Sequence, residues 1–216
     1  QREGTLADEG LWGFYAFCQR HLDRSRAQSL QDLWVLHMSK GKRGGYFVEF
    51  GACNGVTLSN TAMLEADFGW TGILAEPDPV WHEGLHANRG CSIDTRCVAP
   101  EGQGTALFAR VPARPELSRL AAIAPDDVHE RGGNRAERTE IEVETVSLAG
   151  LLEAHDAPEE IDYLSVDTEG SELAILEAFD FSSRRIRLIT VEHAGEDAKR
   201  EGLRALLEGH GYRRWR

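Results

Sequence analysis

The apolar positions change period along the chain, and the changes lay out alternating helices and strands. After a polar, glycine-containing start expected to fray over its first ten residues, Leu11, Phe14, Tyr15, Cys18 and Leu22 recur at helical spacing and predict an amphipathic helix over residues 11–22. A second helix is expected over residues 29–38, with Ser29 as a cap and the glycines at 41–45 as its end. Residues 46–50 are apolar and aromatic apart from Glu49, the composition of a strand buried on both faces. This strand runs into a turn holding Gly51 and Gly55, after which residues 56–60 are expected to open a helix with Thr57 or Ser59 as N-cap. Residues 69–72 read as a turn and 73–75 as a short strand. The Pro77-Asp78-Pro79 turn leads into a helix over 80–88 with Trp81 and Leu85 inward, and residues 91–98 read as a third strand.

Period-two runs at 105–111 and 139–148 mark two further strands. Between them, residues 112–138 are polar and rich in arginine, alanine and proline. A segment this long inside a compact domain is usually functional or disordered. It reads as a substrate-side lid inserted between the third and fourth core strands, with a solvated loop as the plainer alternative. Its Arg114, Arg119, Arg131, Arg135 and Arg138 are candidates for recognising a carboxylate or phosphate. A short helix over 148–155, a strand over 161–166, a helix with Leu173, Leu176 and Phe179 inward, a strand over 187–191 and a helix over 196–208 follow, and residues 212–215 begin another strand. This alternation predicts an α/β fold built on a doubly wound, mostly parallel sheet.

Composition narrows the setting. A chain of 216 residues suffices for one domain with a sizeable core, and 41% hydrophobic with 28% charged residues is an ordinary globular balance. With no apolar run as long as a membrane span and no signal-peptide pattern, a cytoplasmic protein without a membrane span is expected. The formal charge of −12 opposes binding along a nucleic-acid backbone. Cys18, Cys53, Cys91 and Cys97 form neither a C-x-x-C pair nor a zinc spacing, and are expected to be reduced.

The chemistry gathers at strand ends. Strand, glycine turn and helix together make a nucleotide-type site, because loop amides face the crevice at the strand's carboxyl end. The spacing E-x-G-x-x-x-G, from Glu49 through Gly51 to Gly55, fits neither the dinucleotide fingerprint nor the P-loop. It is the arrangement found in class I S-adenosylmethionine-dependent methyltransferases. Glu76 ends the second strand about twenty residues later, where a carboxylate can take both hydroxyls of a ribose or simply cap the turn that follows. Cys53 lies inside the turn, where it could touch a cofactor, and needs no chemical role. The fourth strand runs into Asp167-Thr168-Glu169-Gly170-Ser171-Glu172, in which Ser171 is a candidate N-cap and Glu172 suits a helical first turn. Asp167 has no such structural explanation.

Two longer runs carry a specific resemblance. Residues 45–89, GYFVEFGACNGVTLSNTAMLEADFGWTGILAEPDPVWHEGLHANR, and residues 161–179, IDYLSVDTEGSELAILEAF, resemble the FkbM family of methyltransferases, and the likeness extends over roughly residues 27–214. The resemblance implies a class I methyltransferase fold, Rossmann-like, over residues 45–216, with residues 1–44 as N-terminal helices packed on it. There Gln31, Asp32 and Trp34 either brace the domain or cover its crevice. It implies S-adenosyl-L-methionine as cofactor, held by Glu49, Gly51, Ala52, Cys53, Asn54 and Gly55, and by Ser59 and Asn60 beyond the turn. Glu76 and Pro77 would follow at the second strand, Cys97 and Val98, with Arg96, near the adenine, and Asp167 at the fourth strand.

In a doubly wound sheet these ends share one crevice with Glu192 and His193, which end the fifth strand. The sulfonium of the cofactor is already activated for in-line SN2 transfer, so the protein's task is to position the acceptor and remove its proton. His193 is the natural base, flanked by Glu192 and facing Asp167. Asp167, Glu169 and Glu192 also offer hard oxygen ligands suited to Mg²⁺ or another divalent cation. The resemblance implies O-methylation of a small-molecule or glycan acceptor, a sugar or natural-product hydroxyl, and leaves a homo-oligomer open. The family's Glu-His-Asn run reads Glu192-His193-Ala194 here, and the chain stops before the antiparallel pair that usually ends such a fold. A protein of this fold that binds nucleotide or a partner without catalysis is the alternative, and the glycine spacing disfavours an NAD-linked oxidoreductase.

Overall fold

The computed structural model describes residues 2–123 and 126–215, with side chains from residue 10 onward; Ala124 and Pro125, within the expected lid, and the terminal Gln1 and Arg216 lie outside them. In chain order the elements are α1 (Arg2–His21), α2 (Gln31–Met38), β1 (Tyr46–Phe50), α3 (Ala62–Phe68), β2 (Thr71–Ala75), α4 (Pro79–Asn88), β3 (Ser92–Asp94), β4 (Cys97–Val98), β5 (Gly104–Arg110), β6 (Arg119–Leu120), α5 (Val128–Arg131), β7 (Thr139–Val146), α6 (Leu148–Ala154), β8 (Glu160–Val166), α7 (Glu172–Glu177), β9 (Arg185–Val191) and α8 (Asp197–Gly209). Short 3₁₀ turns occupy Leu22–Arg24 and Pro115–Leu117.

Successive side chains of a strand point to opposite faces, so each central strand feeds two cores. Val48, Ile73 and Leu164 pack with Leu151, Leu176 and Leu203 on one side. Phe47, Leu74 and Tyr163 pack with Leu33, Leu36, Leu64 and Leu85 on the other, where Cys18 of α1 joins them. The strands form one parallel sheet in the order β3-β2-β1-β8-β9. The chain therefore winds outward from β1 and returns to its other side as β8. That puts a topological switch point between the carboxyl ends of β1 and β8, where doubly wound sheets bind ligands. A second sheet, β4-β7-β5-β6, pairs β4 parallel to β7 and β5 antiparallel to its neighbours over a small core of Cys97, Phe108, Leu120 and Val143.

Several elements depart from the sequence expectation for local reasons. The first helix starts at Arg2, within the stretch expected to fray and nine residues ahead of the expected start at Leu11. Its contact stripe is Phe14, Phe17 and Cys18, while Tyr15 and Leu22 are exposed. Helix α2 begins after Leu30, in a left-handed conformation, because Asp32 is turned back to accept hydrogen bonds from Ser25 Oγ and the N–H groups of Arg26 and Ala27. The expected third strand is two strands in two sheets, since Asp94 accepts both the Arg96 N–H and its guanidinium and folds the chain between β3 and β4. Thr71 and Gly72 belong to β2 and not to the preceding turn. Residues 212–215 form no strand; Tyr212 Oη donates to Ile186 O, and Trp215 stacks edgewise on Phe14.

Gly72 faces Phe47 across the β1–β2 ladder, and a Cβ there would lie 2.0 Å from Phe47 O. Gly72→Ala is expected to force the two central strands apart and cost about 3 kcal/mol or more in urea unfolding. A stability within about 0.5 kcal/mol of the parent would contradict this register.

Candidate active site

The carboxyl end of β1 is held by a buried network. Glu49, 2% exposed, accepts the Asn60 N–H at 2.7 Å on one oxygen and the hydroxyls of Ser59 and Thr61 on the other. Burial pushes its carboxyl up, opposed first by the charge of Arg89 and then by these donors. Arg89 is buried with it, donating to Glu65, to Gly55 O, to Ser59 Oγ and to Thr61 Oγ1. These bonds hold residues 56–61 as irregular chain, and α3 starts only at Ala62. The expected helix start at 56–60 is thereby corrected: Ser59 Oγ accepts from the N–H groups of Thr61 and Ala62, just ahead of the helix. Both turn glycines are sterically required. Gly51 has φ +71° and a Cβ on it would lie 2.1 Å from Asp167 O; Gly55 has φ +77° and would meet Arg89.

Across the turn, Glu76 ends β2 with 4% exposure and accepts the Cys53 N–H at 2.9 Å and the Asp78 N–H at 2.8 Å. Burial raises its carboxyl to about 7. Turn and Glu76 face one crevice of about 230 Å³, which Pro77, Cys97, Val98 and Asn60 also line. Cys53 and Cys97 remain thiols: burial and the neighbouring carboxylates push both up, Cys97 to about 12. Ser59 is spent inside the Glu49 network, while Asn54 accepts the N–H groups of Val56 and Thr57 and shapes the turn. Cys53, Leu58 and Glu169, all lining the crevice, hold positive φ without being glycine, a strain that persists where surrounding contacts over-determine it.

On the opposite wall, the Glu192 N–H donates to Val166 O, which continues the β8–β9 pairing and sets Glu192 against the end of β8. The carboxylates of Asp167, Glu169 and Glu192 have oxygens within 4.8 Å of one another. Burial, then the charges of Glu192 and Glu169, push Asp167 well above the usual carboxylate range; burial and Glu192 raise Glu169 to about 8 against the pull of Arg135. Glu172 is structural, accepting the N–H groups of Thr168 and Gly170 and pairing with Lys199. Ser171 heads α7 without a side-chain cap bond and instead donates to Thr168 Oγ1. His193 is not brought to this wall. It lines a separate groove of about 740 Å³ along β9 with Thr190 and Val191, and its Nδ1 accepts the Gly195 N–H. Both residues lie just past the end of β9, where Glu192 lines the crevice and His193 the groove.

The segment between β5 and β7 supplies the outer wall through Arg114, Glu116, Ser118 and His129. Of its arginines only Arg114 lines the crevice. Arg131 and Arg138 pair with Asp126 and Glu130, and Arg119 is buried against carbonyls of Leu120 and Ile123. Arg135, 1% exposed, joins three pieces of the wall: it donates to Leu117 O, to both oxygens of Asp127 and to Glu169. Asp127 in turn caps α5, which carries His129. Sequence reasoning missed His129, although Asp127 followed three residues later by Glu130 is a helix-start signature. It also missed Gln28, which reaches the crevice with Gln31 because Ala27 bridges to Leu58. Asp32 and Trp34 act as the brace.

A parallel sheet with a glycine turn, an acidic second strand end and a carboxylate cluster around its switch point defines a nucleotide-type α/β site. Comparison with protein families identifies the Methyltransferase FkbM domain over residues 49–214, and the chain belongs to this methyltransferase family. Neither the curated proteins nor the solved structures give a match. No helix among the described residues is long and apolar enough to cross a membrane.

Removing the Arg135 guanidinium strands Asp127 as a buried charge and takes from Glu169 the partner that opposes its protonation. Arg135→Met is expected to lose about 3–5 kcal/mol in urea unfolding. It should also speed tryptic cleavage after Arg131 and Arg138. Unchanged stability and cleavage would show that the outer wall is held in some other way.

Proposed function

We propose that this protein is an S-adenosylmethionine-dependent O-methyltransferase acting on a hydroxyl of a sugar, glycan or natural product. The observation that carries the reading is Glu76, a buried carboxylate held by two backbone N–H groups at the end of β2, opposite the Gly51–Gly55 turn, in a chain of the FkbM family. Each Glu76 oxygen keeps lone-pair capacity after accepting one N–H, so ribose hydroxyls can donate to it. Glu49 supports the site from behind, and Cys97 and Val98 offer an apolar wall to a flat base. When bound, the cofactor supplies an electrophilic methyl group for in-line transfer.

Asp167 and Glu192 are the residues we assign to hold the acceptor hydroxyl and take its proton, in place of His193, which lines the other groove. The wall formed by residues 112–138 serves as the lid. The crevice chemistry supports an acceptor rich in hydroxyls over an anionic one: Glu116 of this wall and Gln28 and Gln31 from the N-terminal segment line it, and four of the five arginines named from sequence are engaged elsewhere. The donor set of Asp167, Glu169 and Glu192 also fits a hard divalent cation, for which these three would be the ligands.

Glu76→Ala is expected to weaken S-adenosylhomocysteine binding at least about tenfold by calorimetry, the loss of charge-assisted hydrogen bonds. Unchanged affinity would overturn the ribose assignment. The pH dependence has a defined sign. In the free protein Glu76 takes up a proton below about 7, whereas ribose hydroxyls need the carboxylate form, so binding expels that proton. Affinity should therefore fall as pH drops from 8 to 6, approaching about tenfold per unit, and Glu76→Gln should flatten the profile. Equal affinity at both ends for the parent would contradict the role.

A further inference from the structure

At the amino end of β9, the loop entering the strand and the chain leaving α8 border a cavity of about 510 Å³. Arg184, Arg185 and Arg187 line it, with Phe181, His210 and Tyr212. It shares no lining residue with the crevice. The 7 residues of β9 set it about 20 Å from the carboxyl ends of the sheet, where the glycine turn lies. Three guanidiniums thus meet in a chain whose formal charge is −12. Arg185 and Arg187 share a single carboxylate, Glu160, at 3.3 and 3.1 Å, so one acid answers two cations. Arg184 has no carboxylate partner among the described residues: its Nη1 donates to Ser183 O at 2.9 Å, and its Nε is buried without an acceptor. Asp180, on the same loop, is turned onto the N–H and hydroxyl of Ser182. A buried donor left unpaired is costly unless a ligand supplies the acceptor.

We infer that this cavity binds a soluble phosphate monoester, its phosphoryl group on the arginines and its organic group against the aromatic side chains. With Nη1 spent, the edge of Arg184 that remains is the one formed by Nε and Nη2, whose parallel N–H bonds match two oxygens of one phosphoryl group. Arg185 and Arg187 carry more charge than Glu160 neutralises. A monoester, with a charge of about −1.5 to −2 at pH 7, balances that excess better than a singly charged carboxylate does. The aromatic side chains are held in place: Phe181 stacks on His210 with ring centroids 4.4 Å apart, and Tyr212 Oη donates to Ile186 O. A recess of this kind suits a soluble ester. A bilayer surface would engage the exposed Arg213 and Arg214, which lie outside the cavity, as readily.

The test is calorimetric titration of the full chain at low ionic strength with phenyl phosphate and, separately, benzoate, beside co-sedimentation with phosphatidylglycerol vesicles. Phenyl phosphate is expected to bind with a Kd below about 1 mM, and benzoate at least about tenfold more weakly. Arg184→Gln should weaken phenyl phosphate at least about tenfold with the urea midpoint of the parent retained. Arg213→Gln removes the same charge from the neighbouring surface and should leave the affinity unchanged. Equal weakening by both variants would reduce the effect to a diffuse field and overturn the site. Three results on the parent overturn it without reference to any variant: a Kd above about 1 mM, benzoate bound as well as phenyl phosphate, or phenyl phosphate displaced by S-adenosylhomocysteine, which would put it in the crevice. Capture by vesicles without binding of phenyl phosphate would overturn it in favour of a membrane surface.

Discussion

The carboxylate of Glu49, buried at the end of β1 and filled by donors from residues 59–61, is the constraint from which the site follows. A carboxylate in that position is tolerable only with its lone pairs satisfied and a counter-charge near, and Arg89 supplies the charge while binding Gly55 O and Glu65. The loop after the turn is thus tied to the strand before it and to the end of α4. Breaking such a buried pair from one side costs about 3–5 kcal/mol, against about 0–1 kcal/mol for an exposed pair such as Arg24 with Asp67. With the loop fixed, Gly51 can lie against Asp167 O and Cys53 can present its N–H to Glu76, which joins the ends of β1, β2 and β8 around one crevice.

Arg135 plays the matching part on the acceptor side. It is as buried as Glu49 and binds the 3₁₀ turn, the cap of α5 and the carboxylate cluster at once. The crevice is therefore built between two internally satisfied ion networks, one behind the glycine turn and one behind the outer wall. The groups left with spare hydrogen-bonding capacity, Glu76, Asn60, Asp167 and Glu192, lie between them.

The central βαβ framework was legible because its signals are local and strong: residues 46–50 have strand composition, the two glycines carry positive φ, and Glu76 sits where the second strand ends. The family was legible from long matched runs, and the family comparison bears it out. What failed to show was set by tertiary contacts. Residues 56–60 look like a helix start, yet Glu49 draws their polar groups into the interior. Residues 91–98 look like one strand, yet Asp94 turns the chain at Arg96. His193 carries the right chemistry for a base, but past the end of β9 the chain leaves it in the groove while Glu192 lines the crevice, a separation that no local sequence signal marks. The arginines of residues 112–138 looked ligand-directed because their acidic partners, Asp126, Asp127, Glu130 and Glu169, are read one at a time in sequence and as pairs only in space.

The most direct measurement of the cofactor site is amide hydrogen exchange of the intact chain with and without saturating S-adenosylhomocysteine. The account predicts slowed exchange at residues 51–55 and 76–78 and at the end of β8, the three pieces that Glu49 and Glu76 bring together. Protection confined to the groove along β9, or no protection at any concentration, would contradict it.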